Sequence, residues 1–355
     1  MEEKGGKVKL TRPKLFKKKR AIVFLLIFLF LFIALLIIYF YFPSKNVCGD
    51  GTFYDSCSER KPYFCEQGVL IEKASICGCS ENLTLEVDSC FSEYQADSKN
   101  ITLNYILRGE EGEILFTVYG GLSKYVSKLP RSISLGNGDI PSKEDFKLRR
   151  LDEKNQEVLL VPLIKKIQNM FETEKDQVRV AVSLVQKIPF GNSEKIVKVS
   201  GSEVDYARYP YEVLYDEEGV CGEKAELLAF ILREMGYGVA FLYYPAENHE
   251  ALAVKCPRRH SVAKTGYCFI ETTGPAIMTD DSIEYVGVGE LSSKPELIII
   301  SEGKSLGNWW YEFRDANVLM LARHLIEKDS LFASLMYNKV SKLNEKYGLR
   351  EDYNI

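Results

Sequence analysis

Cys221, His249 and Glu271 are the residues in this chain whose types and order can do chemistry. A thiolate is a nucleophile, an imidazole can pair with it and move its proton, and a carboxylate can orient the ring. Cys221 follows Gly219 at the start of an apolar-periodic segment. A thiol at a helix start gains from the helix dipole and from backbone N–H groups that have no acceptor in the helix. The same N–H groups can hold an oxyanion. His249 opens a strand-like run 28 residues later, and Glu271 ends another after a further 22.

These residues need a helix and two neighbouring strands to meet. Cys221 to Met235 reads as a helix, with Leu228, Leu232 and Met235 inward and Gly236 ending it. Val239–Tyr244, His249–Cys256 and Tyr267–Thr272 read as strands. Upstream, Val161 to Phe171 reads as a helix with Pro162 in its first turn. Gln177 to Ile188 reads as another, ending before Pro189. A further helix is expected from about Asn317 to Lys346, broken near Asp329. Residues 101–120 alternate as strands about a turn at Arg108–Gly112, a small β unit whose plain role is a spacer or packing partner. Gly136–Pro141 reads as linker.

The run Tyr211–Leu228, with Gly219-Val-Cys-Gly222 inside it, resembles the transglutaminase-like, papain-related superfamily. So do Leu232–Ala240, Asn248-His-Glu-Ala-Leu-Ala-Val254 and Tyr267-Cys-Phe-Ile-Glu-Thr-Thr-Gly-Pro275. The resemblance covers roughly residues 155–300. It implies an α+β domain in which a helix with an N-terminal Cys packs on an antiparallel sheet. It also implies nucleophile, base and orienting roles for Cys221, His249 and Glu271. The family usually has Asp where Glu271 stands, and the Trp often found two residues after its His is replaced by Ala251. Members of the superfamily also serve as non-catalytic binding or assembly modules, the alternative to an amide hydrolase or acyl transferase.

Strand parity bears on the cysteines. Residues two apart share a face, so Cys256, seven from His249, and Cys268, three from Glu271, point away from the face of His249 and Glu271. A Cys256–Cys268 bridge behind the site would leave Cys221 as the free thiol. If His249 and Glu271 face each other squarely, Cys256 lies beyond the rung of Cys268 and the loop must bend back. Glu223, Lys224, Tyr209 and Tyr211 flank the nucleophile as candidates to line a cleft or hold an oxyanion. His260 is expected to be solvated and His324 to be surface or packed. Trp309-Trp310-Tyr311 reads first as core. A zinc-protease H-E-x-x-H fails because position 253 is Ala, and no phosphate loop, EF-hand or ligand cluster points to a nucleotide, cofactor or metal.

Residues 21–42 are 22 apolar residues in a row, about 33 Å of helix against a hydrocarbon core of ~30 Å. The run ends in Tyr41, Phe42 and Pro43 with no small-x-small cleavage site, so it reads as a retained single-pass anchor rather than a signal peptide. Lys17, Lys18, Lys19 and Arg20 abut it, which places the N-terminal tail 1–20 in the cytoplasm and the rest outside the cell. Six cysteines fall between Cys48 and Cys90. That density predicts a stapled module over 43–95 with fifteen possible pairings. A β unit and linker over 96–145, the transglutaminase-like domain over 150–300 and a helical extension over 301–355 complete the expected organisation. Asn82-Leu-Thr and Asn100-Ile-Thr fit an outside location. Residues 43–355 carry 37 basic against 48 acidic groups, which argues against nucleic acid as partner. An extracellular protein or peptide is the expected substrate.

Overall fold

Contacts along the chain separate residues 1–47 from residues 48–355. The computed structural model describes residues 23–33, 46–130, 140–191, 195–199, 202–282, 284–285, 289–327 and 333–349. In the first unit, 23–33 form helix α1, with apolar side chains exposed from Val23 to Ile33. The other parts of the expected span 21–42 lie outside the described residues. Among the described residues no helix is long and apolar enough to cross a membrane.

The second unit is mixed α+β with antiparallel strand pairing. Its first part is the disulfide module: strands β1 (Ser56–Cys57), β2 (Tyr63–Glu66) and β3 (Val69–Glu72), a single helical turn α2 (Ala74–Cys77), and the hairpin β4 (Thr84–Glu86) and β5 (Ser89–Phe91). Its cysteines pair as Cys48–Cys65, Cys57–Cys77 and Cys79–Cys90. The module buries little apolar surface of its own. Cys48, Tyr63, Cys65 and Leu70 form one small cluster that borrows Val161 from the helix behind it.

A long hairpin follows, β6 (Ser98–Leu107) and β7 (Glu110–Tyr119). Its turn is tighter than expected: Arg108 and Gly109 alone make it, both at positive φ, the conformation a two-residue hairpin of type I′ requires. Ile101, Leu103, Ile114, Phe116 and Val118 join the main core, so the hairpin is a packing partner. Then come α3 (Gly120–Val126), α4 (Lys143–Leu151), α5 (Lys154–Met170) and α6 (Glu174–Lys187). Helix α5 begins seven residues before Val161, so Pro162 lies inside it. An interior proline loses a backbone bond and crowds the preceding turn. Leu159, Leu160, Leu163, Ile164 and Ile167, all buried, hold the helix through it. Helix α6 starts three residues earlier than the apolar stripe suggests, because Thr173 accepts from the Asp176 amide as N-cap.

The remaining elements are β8 (Lys195–Val199), β9 (Ser202–Tyr206), α7 (Pro210–Asp216), α8 (Cys221–Glu234), β10 (Gly238–Tyr244), β11 (His249–Lys255), β12 (Tyr267–Ile270), β13 (Glu284–Tyr285), β14 (Gly289–Glu290), β15 (Glu296–Glu302), α9 (Tyr311–Glu327) and α10 (Ala333–Tyr347). Four strands form the central sheet in the order β12-β11-β10-β15, all antiparallel. Leu227, Leu228 and Ile231 of α8 share one buried cluster with Phe241, Leu252, Val254 and Ile270 from one face of this sheet. Leu242, Ala251, Ala253 and Phe269 belong to a second cluster on the opposite face, with Val262 and Ala276. Truncating a fully buried leucine such as Leu228 would cost about 3 kcal/mol. Trp310 is core, whereas Trp309 is 86% exposed, so the aromatic triplet is split between interior and surface.

Candidate active site

The nucleophile candidate sits where two turns of sequence chemistry meet. Gly219 and Val220 lead into α8, and the Val220 amide donates to Glu223 Oε2 at 2.9 Å. That contact is the carboxylate half of a capping box. Helix α8 therefore begins at Cys221 itself. Its first amides have no acceptor within the helix. Cys221 is half-buried and is the free cysteine of the chain.

Asn248 at φ 47° turns the chain into β11, a conformation asparagine tolerates better than most residues. His249 follows, fully buried, opposite Tyr244 on β10. Glu271 is the first residue beyond β12 and is 1% exposed. Its Oε2 lies 3.0 Å from His249 Nε2. A carboxylate only accepts, so the ring donates from Nε2, and Nδ1 is the nitrogen available to the sulfur. Oε1 of Glu271 accepts from the amides of Thr272 at 2.8 Å and Thr273 at 2.9 Å. The longer side chain thus folds back onto its own backbone and is held at both oxygens.

The electrostatics follow from this placement. Burial opposes charge on His249, but the thiol of Cys221 and the carboxylate of Glu271 outweigh it and push the imidazole up to about 10. Burial likewise opposes charge on Glu271. The His249 hydrogen bond and charge, with the Thr273 amide, leave the carboxyl below its ordinary value. The Thr272 hydroxyl reaches the carbonyl of Cys221 at 3.4 Å and ties the end of β12 to the start of α8.

Behind the three residues lies a buried polar brace. Lys224 Nζ donates to the carbonyls of Ile188 at 2.6 Å, Thr273 at 3.2 Å and Gln186 at 3.4 Å. Gln186 Nε2 donates to the carbonyls of Glu271 at 2.9 Å and Ala276 at 3.1 Å. Lys224 is therefore a structural tie between α8, α6 and the segment after Glu271. The other flanking candidates are also committed elsewhere. Glu223 binds the amide and guanidinium of Arg208, and the Tyr211 hydroxyl accepts from the Tyr119 amide. Tyr209 is buried at the start of α7. All four side chains are buried. His260 departs from the solvated expectation, since its ring stacks on Phe313 at 4.0 Å. His324 is exposed.

Cys256 and Cys268 are bonded to each other. Both belong to the cluster beneath α8, on the face opposite to His249. Gln186 and the Thr272–Thr273 pair were not legible as site residues. A buried glutamine on a helical stripe carries no pattern that separates it from solvated polar positions. No group of residues suited to a metal occurs among the described residues. No family model, no curated protein and no solved structure matches the chain.

Proposed function

We propose that this chain is a single-pass membrane protein whose outward part is a thiol enzyme of transglutaminase-like type. It would act on peptide or carboxamide bonds through Cys221, His249 and Glu271. The observation that carries this reading is the convergence of a free, half-buried thiol at a helix start with a buried imidazole held by a buried carboxylate at 3.0 Å. The four disulfides support an oxidising location outside the cell.

In this reading the sulfur of Cys221 attacks the carbonyl carbon, and the oxyanion forms beside the first amides of α8. His249, an imidazolium at neutral pH, gives its proton to the leaving amine. The C–N bond breaks and a thioester remains. Water or an amine then displaces the sulfur, and the imidazole takes a proton from that second nucleophile. Glu271 stays ionised and holds the ring.

Iodoacetamide labelling of the purified full chain tests the site. Cys221 should alkylate near neutral pH in the native state, and His249→Ala should slow it at least tenfold. A thiol that reacts only after denaturation would sink the enzyme reading. Protease added to intact cells tests the topology: a fragment of nearly the whole chain after Pro43 should be released.

A further inference from the structure

Helix α4 is fastened by charge rather than by apolar burial. Of its nine residues only Leu151 is buried, and Phe146 is 39% exposed. Lys143 Nζ lies 2.5 Å from Glu296 Oε2 on β15 and 4.0 Å from the Tyr243 ring centre. Lys147 Nζ lies 2.6 Å from Glu250 Oε1 on β11 and 2.7 Å from Glu226 Oε1 on α8, over the Phe241 ring. Arg150 Nε lies 2.9 Å from Glu226 Oε2. That last approach is not aligned as a hydrogen bond, so Glu226 Oε2, buried, keeps an unused acceptor among the described residues.

The place of this charge cluster matters. A Cβ built on Gly222 would stand 3.1 Å from Glu250 Oε1 and 3.8 Å from Lys147 Nζ. The ammonium therefore sits against the residue that follows Cys221. Burial opposes charge on Lys147, but Glu226 and Glu250 prevail and raise its pKa. Beyond the anchor the chain is net acidic, which draws basic partners toward it.

We propose that Glu226 and Glu250 form a recognition seat for a basic side chain flanking the carbonyl that Cys221 attacks, with Lys147 as the resident occupant that substrate displaces. This inference rests on the thiol-enzyme reading of Cys221. Only the Lys143–Glu296 pair is exposed, whereas Lys147, Glu226 and Glu250 are largely buried. The two carboxylates therefore release Lys147 only to another cation that restores their charge balance, and few apolar contacts of α4 must be broken when they do.

The test compares two methanethiosulfonates of similar size on the full chain, one neutral and one carrying an ammonium. In each, the thiolate of Cys221 attacks the sulfenyl sulfur, a mixed disulfide forms and methanesulfinate leaves. Lys147→Gln should raise the cationic-to-neutral rate ratio about tenfold, and adding Glu250→Gln should return it to the starting value. In the unaltered chain, a tetralysine peptide should speed hydrogen exchange of the amides of residues 143–151, and tetraglutamate at equal ionic strength should not. An unchanged ratio in a folded Lys147→Gln chain would overturn the seat while leaving the thiol reading intact. If Lys147→Gln fails to fold, the exchange measurement decides, and equal response to both peptides overturns the proposal. Failure of both reagents in the native chain would instead remove the thiol reading, and hydrogen exchange would still decide the seat.

Discussion

Glu271 continues β12 to a place opposite Ala251, two residues along β11 from His249, yet its Oε2 reaches the imidazole at 3.0 Å. The register Leu252–Ile270 and Val254–Cys268 fixes this offset. Cys256 and Cys268 are offset by the same two residues in the opposite sense, and they lie on the opposite face. A right-handed twist shortens one diagonal on one face of a strand pair and the other diagonal on the reverse face. One twist therefore brings both pairs together, with Cα atoms of the bridge 5.8 Å apart.

Glu271→Asp should impair the site although Asp is usual at this place in the superfamily that the sequence resembles. Oε1 is held by two backbone amides while Oε2 holds the ring, and a side chain one methylene shorter cannot reach both. Displacement of the ring by about 1 Å costs roughly 100-fold in turnover. Glu271→Gln keeps the length and should do less to the alkylation of Cys221 than His249→Ala does. Equal turnover with Asp and Glu would remove the orienting role.

The stability of the folded chain should fall as the solution becomes alkaline. His249 is raised from 6.5 to about 10, so its contribution is complete below 6.5 and is lost as pH climbs to about 10. Glu271 is lowered from 4.5, so its contribution holds above 4.5 and is lost in acid. Melting temperature should thus be highest between these limits. His249→Ala should flatten the alkaline decline, and an identical decline in that variant would refute the linkage.

Non-reducing mass analysis of the denatured chain should find one free thiol, at Cys221, and the pairs Cys48–Cys65, Cys57–Cys77, Cys79–Cys90 and Cys256–Cys268. The bridges of the N-terminal module close loops of 17, 20 and 11 residues, each contributing about 3 kcal/mol. Their reduction should unfold a module that has almost no core. A module that keeps its structure in reductant would show that its core was underestimated.

Lys224→Met should destabilise by about 3 kcal/mol, because three buried carbonyls lose their shared donor. Denaturant titration would read the loss. A change below about 0.5 kcal/mol would mean that other groups satisfy those carbonyls.

The helix of Cys221 and the strands of His249 and Glu271 were legible because each buries an apolar face, and burial writes a period into the sequence. Observed bounds differ from those expected by one or two residues. The partners of Glu271 were hidden, since backbone amides carry no side-chain signal. Helix α4 was not anticipated, for a related reason. It has no apolar stripe, and the acceptors of its lysines lie 79, 103 and 153 residues away. The start of α5 was missed because its first turn is polar and the proline suggested a beginning.

The bridge between Cys256 and Cys268 has a practical meaning for anyone handling this protein. It pins the sliding of β11 against β12, and that sliding would separate the imidazole from its carboxylate. The nucleophile candidate must stay reduced while a bond in the core beneath its own helix must stay oxidised. Strong reductant, the customary protector of a thiol enzyme, would guard the sulfur and loosen its partners together. Mild reductant should give the higher specific activity, and the difference should vanish in a chain whose bridge has been replaced by two serines.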